Sequence, residues 1–140
     1  MSYLSPSDFV GKMIDAGAAK ATMSTRDTLI RAYMAGAILA LAAAFAVTIT
    51  VQTGNALVGA VLFPVGFCLL YLLGFDLLTG VFTLVPLALL DKRRGVTVRS
   101  MLRNWGWVFL GNFLGAITVA VMMAIVFTYG FSVDPNEVGQ

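Results

Sequence analysis

The sequence contains no histidine, a single cysteine and few charges. Without histidine the chain lacks the usual proton shuttle near neutral pH and the commonest metal ligand. Cys68 lies alone in an apolar run, so it can close no internal disulfide and has no companions for a metal site. Charged residues make up 11% of the 140, against roughly 25% in a soluble domain. There is no nucleophile–base pair, metal cluster or phosphate loop, so neither an enzyme nor a cofactor is expected. No short apolar core with a cleavage site precedes the first long apolar block, so the start does not read as a signal peptide.

What the chain does have is apolar surface. Hydrophobic residues make up 59%, grouped in blocks long enough to cross a hydrocarbon layer of ~30 Å at ~1.5 Å per residue. The reading is an all-α membrane protein with three passes. Residues 1–28 form a short amphipathic helix and linker, residues 29–129 the membrane domain, and residues 130–140 a polar tail outside. The spans are expected at about 29–51, 56–90 and 105–129.

Ser5 can cap the first helix and Pro6 fits its first position, with Asp8 in its first turn. This helix either packs on its own protein or lies on the membrane surface. In the first span Arg31 can snorkel to the interface, and the run of Ala with Gly36 permits close helix approach. The second apolar stretch, 56–90, would run ~52 Å as one helix, longer than the hydrocarbon core. Pro64, Pro86 and the segment Gly74-Phe75-Asp76-Leu77-Leu78-Thr79-Gly80 can each shorten it. Two glycines bracketing an aspartate and a threonine inside an apolar block have the pattern of a broken membrane helix. The third span begins with Trp105 and Trp107 at an interface and carries Gly111 and Gly115 as a small-xxx-small pair.

All nine Lys and Arg residues lie before or at the start of the first span, or in the loop 91–103. The positive-inside rule places both regions, and the N-terminus, in the cytoplasm. This accounts for the basic loop without nucleic acid. An odd number of passes makes a following copy enter upside down, as one half of an inverted repeat with a site between the halves.

Asp76 is the costliest residue in this arrangement, because a carboxylate inside the membrane is a functional candidate by default. If the helix breaks at Gly74, Asp76 can cap the next half-helix by accepting from Leu78 or Thr79; the other reading is a direct part in transport. The half-helix N-terminus favours an anion near the membrane middle. Thr79 can donate its hydroxyl to that anion or bond back to its own helix. Asn112 is polar within a span and is read as an inter-helix partner, with pore lining as the other reading.

The run from Gly74 to Gly80, the basic loop, then Asn104-Trp105 and Gly111-Asn112-Phe113-Leu114-Gly115 resemble the formate/nitrite transporter family. The resemblance covers nearly the whole chain. It implies an aquaporin-like six-helix channel fold of which this chain is one half, assembled as a homopentamer with a pore in each protomer. The localisation it implies is the inner cell membrane, in contact with the lipid bilayer. It implies passage of small monovalent anions such as formate or nitrite. On matching positions Leu77, Leu78 and Thr79 fall in the loop at the break, Phe63 and Phe67 at a cytoplasmic constriction, and Leu78 at an outer one. Gly74, Asp76 and Gly80 frame the break, while Asn104, Gly111, Asn112 and Gly115 serve helix packing.

Two departures stand out: Phe75 replaces a small residue, and Leu78 replaces a phenylalanine. The family's central histidine belongs to a second half, which this chain is expected to lack as a truncated or single-repeat portion. A non-conducting structural subunit and a three-span half-transporter working as a homodimer are the alternatives.

Overall fold

The computed structural model describes residues 5–139, whose regular elements are all helices, with no strand among the described residues. Six helices follow one another: α1 Pro6–Thr22, α2 Thr25–Thr53, α3 Ala56–Leu62, α4 Val65–Leu73, α5 Leu78–Leu90 and α6 Val98–Phe127. Three stretches are long and apolar enough to cross a membrane: Thr25–Thr53, Ala56–Leu73 and Val98–Phe127.

Local chemistry sets the boundaries. The Ser5 hydroxyl accepts from the Asp8 N–H at 3.2 Å and starts α1. Ser24 does the same for Asp27 at 3.1 Å, so α2 begins four residues ahead of the apolar run. The linker is thereby reduced to Met23 and Ser24. Gly54, at φ +63°, closes α2 in a left-handed cap. Asn55 then opens α3 by accepting from the Leu57 N–H at 3.0 Å. Within 56–90 the helix is interrupted at Phe63–Pro64 and again after Leu73, whereas Pro86 lies inside α5. Thr97 and Ser100 form a reciprocal capping box at the start of α6.

The helices α2 and α6 pack together most extensively, with α3 and α4 along α2, α5 against α6, and α1 lying across α5 and touching α6. The α2–α6 contact is made by missing side chains. A Cβ at Gly115 would lie 2.1 Å from the Tyr33 carbonyl oxygen, and one at Gly36 2.0 Å from the Asn112 carbonyl oxygen. Gly111 fits against Ala32 in the same way. Backbones that approach this closely gain dispersion contacts that larger side chains would prevent. A similar fit seats α1, where Gly17 leaves space for the Leu84 carbonyl of α5. Beside it, Ala21, Ala32, Val81, Val85, Ala88, Val96 and Val108 form a buried cluster joining α1, α2, α5 and α6. At the opposite end the tail turns back, and Gly139 meets Phe127 and Pro135.

Candidate functional site

The break between α4 and α5 lies against both long helices. Gly74 ends α4 at φ +69°, a conformation that glycine adopts freely. Phe75 donates its N–H to the Leu70 carbonyl at 3.0 Å, and α5 resumes at Leu78. The Arg31 guanidinium donates to the Gly74 carbonyl at 3.3 Å from α2.

Asn112 of α6 organises the rest. Its side-chain oxygen accepts the Leu78 N–H at 2.9 Å, and its amide nitrogen donates to the Asp76 carbonyl at 2.9 Å and the Ala32 carbonyl at 2.8 Å. One side chain therefore satisfies backbone groups on both sides of the break and one on α2. The cap considered for Asp76 is absent: Leu77 occupies the cap position and makes no side-chain bond there. The Leu78 N–H goes instead to a residue 34 positions away.

The Asp76 carboxylate turns to the other side, where its Oδ1 pairs with Lys20 of α1. The Asp76 side chain is 0% exposed and that of Lys20 19%. The ammonium supplies the compensation that a carboxylate at this depth requires. Three further bonds hold the lysine's surroundings. Asn104, itself buried, donates to the Lys20 carbonyl at 3.0 Å, and Arg103 donates to the carbonyls of Ala21 and Met23. Trp105 donates its indole N–H to Val81 of α5 at 3.2 Å.

The break separates two spaces. One is a cavity of about 660 Å³ with Lys20, Phe75, Leu77, Thr79 and Leu84 in its walls. The other is an open apolar groove of about 480 Å³ over α2 and α6, lined by Phe63, Leu77, Leu78 and Asn112 among others. Leu77 borders both. Phe67 meets the Phe63 ring edge-to-face at 5.6 Å. Thr79 is exposed and faces the first space, away from the groove. Gly80 lies inside the first turn of α5 with open space around it, so the break ends before it. Gly111 and Gly115 are in the α2–α6 contact.

The sequence reading passed over Lys20 as a site residue. The signal available was its position three residues after Gly17 and one before Ala21, the two buried residues of α1. A lysine at that spacing shares the helix's inward side and needs a carboxylate there. Among the described residues no group of His, Cys, Asp and Glu side chains is gathered as a metal site.

A sequence profile described as formate/nitrite transporter matches residues 7–138. Similar curated proteins include a formate channel of Bacillus thuringiensis, 35% identical over 129 residues, which covers 86% of this chain and 48% of that protein. A probable formate transporter of Methanothermobacter thermautotrophicus is 30% identical over 148 residues, covering 99% of this chain and 52% of its own length. The formate channel FocA of Escherichia coli strain K12 is 33% identical over 116 residues, covering 78% and 39%. The chain thus spans about half the length of the curated relatives it matches. No solved structure matches it.

Proposed function

Because the chain belongs to the formate/nitrite transporter family, a family of multi-pass membrane proteins, we propose that it supplies one half of a pore for small monovalent anions. Formate is the first substrate to test and nitrite the second. In this reading α3, α4 and α5 are one broken membrane crossing within an inverted-repeat half of a six-helix channel. The N-terminus and the 91–103 loop lie in the cytoplasm of an inner-membrane protein, the 130–140 tail lies outside, and complete protomers assemble as a homopentamer.

The observation that carries the reading is the position of Asn112, which fixes a non-helical turn between the 660 Å³ cavity and the apolar groove. An anion that enters the cavity meets Lys20 at its wall and then the Thr79 hydroxyl. The Leu78 N–H is taken by Asn112 and the Gly80 N–H by the Leu77 carbonyl, so it is the positive end of the α5 dipole that favours negative charge here. Phe63 and Phe67 form one apolar constriction and Leu78 the other, with Leu77 in the loop at the break, and partial dehydration at these rings is the barrier. The Lys20–Asp76 pair neutralises the carboxylate beside the route, so the fixed negative charge does not repel the passing anion.

The test is formate flux into liposomes holding the full-length protein, with nitrite compared in parallel. Uptake above empty liposomes is expected, and Thr79→Val is expected to slow it. Flux equal to that of empty liposomes would sink the proposal.

A further inference from the structure

We propose that the loop between α5 and α6 is a docking site for the headgroup of an anionic phospholipid. The inference rests on the membrane placement of the chain and is independent of what, if anything, it transports.

Lys92, Arg94 and Arg99 are exposed, and among the described residues their side chains have no protein partner. Of the other cations, Arg93 pairs with Asp15 and Asp91, Arg103 bonds the carbonyls after α1 and Lys20 pairs with Asp76, while Lys12 and Arg26 are also exposed but lie on α1 and α2, away from this loop in sequence. Three exposed aliphatic side chains lie among Lys92, Arg94 and Arg99 in sequence. Leu90 is 79% exposed, Val98 57% and Leu102 55%. Cations and outward aliphatics gathered on the α5–α6 loop and the helix ends that flank it match a ligand that is phosphate at one end and hydrocarbon at the other.

The loop is also fixed in advance. The Lys92 N–H bonds to the Leu89 carbonyl and the Arg93 N–H to the Ala88 carbonyl, both at 3.1 Å. Arg93 ties the turn to Asp15 of α1 at 3.0 Å, and Val96 is buried in the core. A preset loop loses little freedom on binding. The turn places Lys92 at φ +55°, in the helix-ending position where glycine is preferred. A lysine held there gives up backbone comfort and puts a cation at the tip. The start of α6 carries its own capping box, in which the Thr97 hydroxyl accepts the Ser100 N–H and the Ser100 hydroxyl accepts the Thr97 N–H.

The experiment uses the protein in neutral detergent, with phosphatidylglycerol, phosphatidylcholine or inorganic phosphate added, and reads lipid retention by native mass spectrometry. Phosphatidylglycerol is expected to be retained and phosphatidylcholine to wash out, with retention falling as salt rises. Each cation near an anionic surface contributes about fivefold, so Arg94→Gln with Arg99→Gln should lower retention roughly 25-fold. Lys92→Gly should lower it about fivefold, yet raise the melting temperature in neutral detergent by relaxing the turn. That opposition of signs separates headgroup binding from folding even if the double variant misfolds. Equal retention of the two lipids would overturn the proposal. So would unchanged retention in Lys92→Gly, or phosphate displacing the lipid at equal concentration.

Discussion

The α2–α6 contact and the α4–α5 break are held by opposite means. The contact depends on shape: Gly36, Gly111 and Gly115 remove side chains so that two long helices touch backbone to backbone. The break depends on polar partners, with Asn112 on its backbone, Arg31 on the Gly74 carbonyl and Lys20 on the Asp76 carboxylate. In an apolar solvent both solutions are needed. Helices with complete internal bonding associate by fit, and a segment that leaves the helix must find each lost bond elsewhere. Asn112 belongs to both regions, because its own carbonyl oxygen lies where a Gly36 side chain would go.

The sharpest way to break this comparison is to fill the shape-held contact. Gly115→Val would drive a side chain into the Tyr33 carbonyl, and a loss of more than about 3 kcal/mol is expected in a denaturant titration of the micelle-bound protein. A stable, monodisperse Gly115→Val protein would mean that the helices separate freely, contrary to the packing described. Next in size is Lys20→Met, which leaves the fully buried Asp76 carboxylate without compensation and should cost about 3 kcal/mol. The double variant Lys20→Met with Asp76→Leu should recover most of that loss. If the single and double variants lose the same amount, the pair carries no coupling.

Asn112→Leu removes three hydrogen bonds and should cost about 2 kcal/mol, since bonds of this kind inside membranes are individually modest. Its effect is local, so hydrogen exchange should accelerate at the Leu78 amide while α2 stays protected. Uniform exchange across the chain would assign Asn112 to general packing. The smallest effect belongs to Thr79→Val, an exposed position where stability should move by no more than about 0.5 kcal/mol. Slower formate flux with unchanged stability would place Thr79 on the route, and unchanged flux would remove it.

Much of the helical outline was legible in the sequence. Ser5, Pro6 and Asp8 announce α1, and the length of 56–90 requires an interruption that Gly74 and Asp76 make plausible. The family could be read from two motifs flanking a basic loop. What could not be read was partnership across distance. Asp76 has a capping residue's chemistry, and nothing near it in sequence says that a lysine 56 positions earlier takes its carboxylate. That choice follows from α1 docking on α5 through Gly17, which is a tertiary fact. Gly80 illustrates the converse error: a glycine beside a break need not belong to it, and this one continues the helix. Thr79 and Leu78 are adjacent in sequence yet border different spaces, because α5 turns between them.

The span of sequence between Leu78 and Asn112 has a consequence for how the protein is made. A ribosome builds the chain from the N-terminus, so Leu78 is added 34 residues before its acceptor exists. Lys20, by contrast, has been waiting since long before Asp76 appears. The carboxylate can thus be neutralised as soon as it emerges, while the neighbouring backbone stays unsatisfied until α6 arrives. The break is started by α1 and completed by α6. A chain truncated just before Asn112 and released from the ribosome should have α1 docked and the break still open to solvent exchange.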